Sequence, residues 1–256
     1  MRNLSNAELA QILDKDIFHK ISDAADSLHL ECYVVGGYVR DLFLERPSND
    51  IDVVVVGSGI QVASELKKML GKKAHLSVFR NFGTAQVKYK DTEVEFVGAR
   101  KESYQRDSRK PIVEDGTLED DQNRRDFTIN AMAYHPEHGL VDLFGGMEDI
   151  GAKIIRCVGD PVERFTEDAL RMLRAVRFSA QLGFTVEENT KAALARMSGN
   201  LEHVSAERIQ TELVKLLVSD HPDYLRTAWE TGLTREFLPE FDACMETEQN
   251  TPHHCY

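Results

Sequence analysis

The sequence has few of the features that mark membrane proteins, cysteine-ligated metal proteins and proteins that coat nucleic acid. No apolar run reaches the roughly 20 residues of a membrane helix. The opening stretch, MRNLSNAELAQILDKDIFHK, is too charged for a signal peptide, so we expect a cytoplasmic protein without a membrane partner. The four cysteines stand far apart and none forms a CxxC pair, which predicts reduced thiols and no cysteine metal site.

Positive charge is scarce as well. The 31 Lys and Arg residues face 43 Asp and Glu residues, which gives a net charge of -12. A chain this acidic does not coat nucleic acid through its overall charge. A nucleic-acid function therefore requires a specific local cluster of Arg and Lys.

The pattern of the chain changes near residue 150. Before it, β-branched runs (CYVV, DIDVVVV, TAQVKY and TEVEFVG) predict strands, and NAELAQILDKDIFHKISDAADSL and GIQVASELKKML predict helices. After it, TEDALRMLRAVRFSAQLGF, EENTKAALARM, SAERIQTELVKLLVS and PDYLRTAWETGL all have helical periodicity. The polar segment KESYQRDSRKPIVEDGTLEDDQNRRD predicts a long loop.

Two aspartates stand at the entrance to the valine-rich strand. Asp50 and Asp52 are two residues apart, so on a strand they point to the same face and repel each other unless a cation lies between them. Glu95, on a second predicted strand, is a third acid for the same site. Carboxylate oxygens suit Mg²⁺, and three of them on adjacent strands can hold two ions. The alternative is that Asn49 and Asp50 form a turn and Asp52 is a solvated edge residue.

A double glycine precedes these aspartates. Gly36 and Gly37 follow a strand and open a helical stretch, where backbone N–H groups and the helix terminus favour a phosphate. Arg40 is spaced to donate to the same anion. The other glycine pair, Gly57 and Gly59, fits a dinucleotide-binding fingerprint poorly and predicts a simple strand-to-helix turn.

With these residues in place, the chain resembles the tRNA nucleotidyltransferase and bacterial poly(A) polymerase family of the polymerase β-like superfamily. The stretches GGYVRDLFLERPSNDID, FRNFGTAQV, RRDFTINAMAY and EDALRMLRAVRFSAQLGF carry the resemblance. It implies an α+β fold, with a nucleotidyltransferase head on a five-stranded mixed sheet followed by all-α neck and body regions. We assign residues 1–150 to the catalytic head, 151–243 to a helical neck and body that binds nucleotide and tRNA, and 244–256 to a linker.

The resemblance also implies a reaction and a set of site residues. A nucleoside monophosphate passes from CTP or ATP to the 3′-hydroxyl of an RNA, and pyrophosphate is released with the help of Mg²⁺. The implied metal ligands are Asp50 and Asp52, with Glu95 as the third catalytic carboxylate. The residues implied to contact the nucleotide are Gly36, Gly37, Arg40, Arg125, Asp126, Asp168, Arg171 and Arg174.

The base would be selected in the second half of the chain. The family's E-D-x-x-R motif matches Glu167, Asp168 and Arg171, and its Asp-Arg pair reads the incoming base. We expect Asp168 and Arg171 one turn apart on one helix face, with Thr166 as the helix N-cap. A carboxylate accepts from the amino group of cytosine or adenine, and an arginine donates to the adjacent ring nitrogen. Arg174, one turn further, stacks on or steers the nucleotide or lies at the surface.

The function expected from this resemblance is template-independent addition of CCA to tRNA. The run FGTA in FRNFGTAQVKY is similar to the tRNA enzymes. The alternatives are a poly(A) polymerase, an enzyme that adds only CC or only A, and a non-catalytic module that binds RNA or nucleotide. The ending TPHHCY resembles the start of an HD domain, to which His253 and His254 would belong.

Overall fold

The computed structural model, which describes residues 4–103 and 112–248, divides the chain into two units, residues 1–152 and residues 153–256. Each unit has its own set of elements, and each is described by itself. In the two described ranges, no helix combines the length and the apolar character needed to cross a bilayer.

The first unit alternates strands and helices. Its helices are α1 (Asn6–Ile12), α2 (Asp16–Asp26), α3 (Gly37–Phe43), α4 (Gly59–Leu70), α5 (Leu118–Asn123) and α6 (Gly146–Ala152). Its strands are β1 (Cys32–Val35), β2 (Asp50–Val55), β3 (Ala74–Phe79), β4 (Thr84–Tyr89), β5 (Thr92–Gly98), β6 (Arg100–Ser103), β7 (Ile112–Asp115), β8 (Ala133–His135) and β9 (Gly139–Val141). The predicted strands are confirmed, and the first predicted helical stretch is divided into α1 and α2.

One mixed sheet organises this unit, with strand order β3-β4-β5-β2-β1-β8-β9. It confirms the α+β fold class, but the expected five strands are wrong, because the sheet has seven. The hairpin β8–β9 has only three residues in each strand, too few for an alternating pattern to predict it. Strands β2 and β5 are parallel, whereas the other neighbours in the sheet are antiparallel.

The apolar residues of β2 explain why it lies in the middle of the sheet. Val53, Val54 and Val55 are buried on both faces of the strand, as expected for a strand covered on two sides. Helix α4 covers one face; its N-cap, Ser58, accepts from the backbone N–H of Gln61 at 3.4 Å. The glycine turn before this helix is confirmed, with Gly57 at φ +130°.

The long polar segment is only partly a loop. Its first residues belong to strand β6, its strand β7 pairs with β6 in an antiparallel ladder, and helix α5 also lies within it. Thr117 caps α5 by accepting from the N–H of Asp120, whose carboxylate accepts from the N–H of Thr117. The T-x-x-D spacing is the usual sequence signal for such a cap, so the loop prediction was wrong for these residues. Residues 104–111 lie outside the described ranges.

The second unit is helical, as predicted. Its helices are α7 (Pro161–Glu167), α8 (Leu170–Leu182), α9 (Glu188–Met197), α10 (Ala206–Leu217), α11 (Leu225–Glu230) and α12 (Pro239–Glu246). Its described strands, β10 (Ile154–Ile155) and β11 (Thr185–Val186), form a two-residue parallel ladder. Helix α8 packs against α10 and α11, and most of its apolar side chains are buried.

The core of the first unit should depend strongly on Phe96 of β5, which is fully buried. We expect Phe96→Ala to lower the free energy of unfolding by about 3–5 kcal/mol, through lost apolar burial and the cavity left behind. Phe82→Ala is the matched control, because Phe82 is 70% exposed, and should change stability by less than about 0.5 kcal/mol. Urea unfolding measures both, and equal losses would contradict this assignment of the core.

Candidate active site

Four carboxylates lie at the start of the parallel pair β2–β5. The register places Asp50 beside Glu93 and Asp52 beside Glu95. Because alternate residues of a strand share a face, all four side chains point to the same side of the sheet. Glu93 is already paired, accepting from Lys88 at 2.6 Å and from Gln86 at 3.2 Å. Asp50, Asp52 and Glu95 therefore form the group that was predicted to bind metal.

Asp52 is the most perturbed carboxyl of this group. Its pKa is raised to about 6, chiefly because burial removes water from the charged form. The nearby Arg125 lowers the pKa, whereas the negative charges of Glu95 and Asp50 raise it further. A carboxylate that is half-buried among other acids is expected to bind a cation, which would offset both the burial and the repulsion.

The donor set fits a hard divalent cation. Asp50 and Glu95 are exposed and Asp52 is half-buried, so solvent reaches the carboxylate oxygens of this group. Mg²⁺ prefers a few carboxylates together with water and substrate oxygens. Asp50, Asp52 and Glu95 are the residues that could hold it.

The double glycine forms a tight turn directly beside Asp52. Gly36 has φ +73°, a conformation that glycine adopts without strain. A Cβ at this position would lie 3.0 Å from Nη1 of Arg125 and 3.5 Å from Oδ2 of Asp52. A side chain here would thus contact the acid and the arginine directly. The N–H of Gly36 donates to the carbonyl of Met132 at 3.1 Å. Because Met132 directly precedes β8, this hydrogen bond connects the turn after β1 to the neighbouring strand of the sheet.

Arg40 is buried, and Asp41 and Asn130 hold its guanidinium. Its Nε and Nη2 donate to the two carboxylate oxygens of Asp41 at 2.9 and 3.0 Å, and its Nη1 donates to Asn130 Oδ1 at 2.7 Å. Asn130 in turn donates from Nδ2 to Asp126 at 3.2 Å. Asp126 also accepts from the N–H of Phe127 at 2.8 Å. The predicted residues Arg40 and Asp126 are thereby joined through Asn130.

A buried acid, Asp121, orients the two arginines of the RRD stretch. It is fully buried on α5 and accepts from Nε and Nη2 of Arg125 at 3.0 and 2.9 Å. Arg124 donates to the other carboxylate oxygen, with its Nε at 3.0 Å. Arg125 also donates to the carbonyl of Asn130 at 3.2 Å. Asp121 and Asn130 were not predicted from the sequence. The signal for Asp121 was its spacing of three and four residues from Arg124 and Arg125, which is typical of ion pairs on a helix.

The helix start predicted at Thr166 is wrong. Helix α7 begins at its N-cap Asp160, which accepts from the N–H groups of Val162 and Glu163, and ends at Glu167. Thr166 lies in its last turn, with its hydroxyl donating to the carbonyl of Val162 at 2.7 Å. The sequence D-P at positions 160 and 161 is a typical helix start and was the stronger signal.

Asp168 lies at the junction between α7 and α8 and is in neither helix. Its backbone is extended, with φ -148° and ψ 104°, so the expected shared helix face with Arg171 is also wrong. One carboxylate oxygen of Asp168 accepts from the N–H of Leu170 at 3.1 Å. The other accepts from Nη2 of Arg208, on α10, at 2.8 Å. The two predicted base-reading residues are nevertheless kept near each other, because the N–H of Arg171 donates to the carbonyl of Asp168 at 3.0 Å.

The guanidinium of Arg171 is bound to the end of α7. Its Nη1 donates to Glu167 Oε2 at 2.5 Å and to the carbonyl of Arg164 at 3.2 Å. Glu167 also forms an ion pair with Arg164 at 2.6 Å. Glu167 is therefore the residue that holds Arg171 in place.

Arg174 lies next to a buried acid on α10. The carboxylate of Glu212 is 4.0 Å from Nη1 of Arg174 and 2.6 Å from Nε of Arg177. The guanidinium of Arg177 stacks on the ring of Phe178 at 3.6 Å. Because Arg208 and Glu212 are four residues apart on α10, one face of this helix reaches both Asp168 and Arg174. The role of Glu212 was not predicted from the sequence.

Stability of the metal-free protein should depend on the ionisation of Asp52. Its folded-state pKa of about 6 exceeds the ordinary aspartate value of 3.8, so the folded protein binds a proton more readily than the unfolded chain. The cost of the charged carboxyl is present above pH 6 and is relieved as pH falls towards 4. We expect Asp52→Asn to stabilise the chelator-treated protein by about 1–2 kcal/mol at pH 8, and by much less at pH 4.

Asp91→Asn, in the exposed turn between β4 and β5, is the control, and it should show no such pH-dependent gain. Chemical denaturation at both pH values measures the difference. An equal effect of Asp52→Asn at pH 4 and pH 8 would contradict the assigned pKa.

Comparison with family models relates both units to known proteins. Residues 32–156 match the model described as the poly A polymerase head domain. Residues 183–245 match the model described as a probable RNA and SrmB- binding site of polymerase A. The first match includes all the carboxylates, glycines and arginines of the first unit described above, and the second includes α10.

Curated relatives are named CCA-adding enzymes. The chain is 41% identical to that of Bacillus velezensis over 209 residues, which are 80% of this chain and 51% of the relative. It is 42% identical to that of Bacillus subtilis over 214 residues, 82% of this chain and 52% of the relative. This chain thus spans about half the length of these relatives.

Solved structures give the same result. The Thermotoga maritima CCA-adding enzyme in complex with tRNA_CCA matches with a TM-score of 0.78 and 29% identity, over 97% of this chain and 57% of that one. The Bacillus stearothermophilus CCA-adding enzyme in complex with CTP matches with a TM-score of 0.74 and 35% identity, over 86% of this chain and 53% of that one. The chain therefore belongs to the tRNA nucleotidyltransferase and poly(A) polymerase family.

Proposed function

We propose that this protein is a tRNA nucleotidyltransferase that adds C and A to the tRNA 3′ end from CTP and ATP, releases pyrophosphate and uses Mg²⁺. The observation that carries the proposal is the triad of Asp50, Asp52 and Glu95 on parallel strands beside the Gly36 turn. The relatives named CCA-adding enzymes, and the related structures that contain tRNA, CTP and ATP, support this choice of substrates. A cytoplasmic location stays a prediction.

Each unit has a distinct part in this proposal. We assign catalysis to residues 1–150, nucleotide and tRNA binding to the helical residues 151–243, and a linker to residues 244–256. The family-model matches at residues 32–156 and 183–245 support the first two assignments.

In the first unit, the carboxylates are assigned to metal binding and the glycine turn to binding of the triphosphate. Asp50, Asp52 and Glu95 would hold the divalent ions, which would supply activation of the RNA 3′-hydroxyl and neutralisation of charge on the leaving pyrophosphate. Gly36 and its neighbour Gly37, which lack side chains, let the triphosphate approach the backbone.

The arginines and Asp126 complete the nucleotide site of the first unit. Arg40 and Arg125 supply positive charge to the triphosphate from positions fixed by Asn130 and Asp121. Asp126 is assigned to the ribose. Pre-positioned charges of this kind stabilise developing negative charge without reorganising during the reaction.

In the second unit, the junction between α7 and α8 reads the base. Asp168 accepts from the amino group of cytosine or adenine, and Arg171 donates to the adjacent ring nitrogen; guanine and uracil present the opposite groups. Arg208 and Glu167 hold these two side chains in fixed orientations, which supports a rigid reading site. Arg174, oriented by Glu212, is assigned to contact with the nucleotide.

The proposed reaction is tested with tRNA lacking its CCA end. We expect the purified chain to incorporate CMP from CTP alone and then AMP when ATP is added. Asp52→Asn should lower incorporation by at least about a hundredfold, since it removes a metal ligand, whereas Asp91→Asn should leave it unchanged. Long A tails from ATP alone would instead identify a poly(A) polymerase. Binding of RNA without any incorporation would identify a non-catalytic module.

Base selection is tested by competition between CTP and UTP. We expect Asp168→Asn and Arg171→Ala each to reduce the preference for CTP by at least about tenfold, because a hydrogen-bonding site loses discrimination when one partner changes. The control is Lys191→Ala, which breaks an exposed ion pair with Glu230 in the same unit. Unchanged preference in both site variants would mean that the junction does not read the base.

A further inference from the structure

The short hairpin β8–β9 carries a second cluster of metal-ligating side chains. His135, Glu137 and His138 lie at the turn, and one ligand atom from each lies within 4.8 Å of the other two. His135 is half-buried, and Glu137 and His138 are exposed. Gly139 follows with φ +72°, so the chain reverses within three residues and brings both imidazoles to one side. The function proposed above does not use these residues.

The two imidazoles are held in place before any ligand binds. The rings of His135 and His138 stack with centroids 4.5 Å apart and an interplanar angle of 22°. The ring of His135 also packs against the ring of Tyr33 on β1, with centroids 5.1 Å apart. Its Nδ1 accepts from the N–H of Glu137 at 3.1 Å, so an ion bound at Nδ1 would replace this hydrogen bond. The ring contacts orient His135 before an ion binds.

The third member of the cluster is a carboxylate. Glu137 is near enough to supply a negative charge and so to partly neutralise a bound dication.

The donor atoms select a different kind of ion from the one at the carboxylate triad. Two imidazole nitrogens and one carboxylate oxygen suit Zn²⁺ and neighbouring transition metals, whereas Mg²⁺ and Ca²⁺ prefer oxygen ligands alone. The two sites also lie on opposite sides of β1. Asp52 pairs with Val35 on one side, and β8, which ends at His135, pairs with β1 on the other.

We propose that His135, Glu137 and His138 form a site for a zinc-class divalent cation, with further coordination positions open to water or an external ligand. The bound ion links the end of β8 to the turn that precedes β9. The site is independent of the catalytic proposal, since it shares no residue with the nucleotide-binding or carboxylate groups.

The test is calorimetric titration of the chelator-treated chain with Zn²⁺ in a large excess of Mg²⁺, which occupies the oxygen-ligand site. We expect one equivalent of Zn²⁺ to bind, and His138→Ala to weaken binding by at least about tenfold. Glu137→Gln should weaken it as well. Both side chains are exposed, so the variants keep the fold, and circular dichroism verifies this. The same ion should raise the melting temperature of the parent chain and not that of His138→Ala.

The C-terminal residues require a matched control, because the sequence ends with His253, His254 and Cys255. Replacing all three by alanine should leave the single Zn²⁺ equivalent unchanged. Loss of binding in that variant, or undiminished binding in His138→Ala, would overturn the proposal.

Discussion

The parallel pairing of β2 with β5 is the constraint on which the candidate active site depends. In a sheet whose other neighbours are antiparallel, this pair alone starts two strands at the same edge and brings Asp52 beside Glu95. The four-residue strand β1 and the seven-residue strand β5 then flank β2 and bury its valines. The charged edge is thus anchored to a strand whose other four residues are apolar and buried. Repulsion among the acids is tolerated there because the valine-rich core supplies the stability.

The positive charge near these acids comes from an arginine outside strands β2 and β5. The buried Asp121 holds two arginines, and one of them, Arg125, approaches Asp52 across Gly36. Asn130 ties Arg40 and Asp126 together in the same network. A buried carboxylate is costly unless it is fully hydrogen-bonded, and Asp121 meets this requirement with two guanidinium groups. Because Asp121 is buried, it fixes the positions of the Arg124 and Arg125 guanidinium groups. On a solvated loop these side chains would be mobile.

In the second unit, the candidate site residues lie at a break between helices α7 and α8. Asp168 leaves the helical conformation, so its carboxylate caps α8 and also reaches Arg208 on α10. Arg171 turns back to Glu167 at the end of α7. The two residues predicted to read the base are therefore positioned by separate partners. The partner of Asp168, Arg208, lies on α10 and outside the E-D-x-x-R motif. Burial of Glu212 against Arg177 fixes α10 against α8.

The sequence by itself determined the elements with strong local signals. The valine run fixed β2, the helical periodicity fixed the second unit, and the spacing of Asp50 and Asp52 fixed their common face. Tertiary structure decided the rest. The parallel register that brings Glu95 beside Asp52, the seven strands, the contact of Arg40 with Asn130 and the pairing of Asp168 with Arg208 all join residues distant in sequence. No local periodicity encodes such contacts, because they depend on which surfaces bury each other when the chain folds.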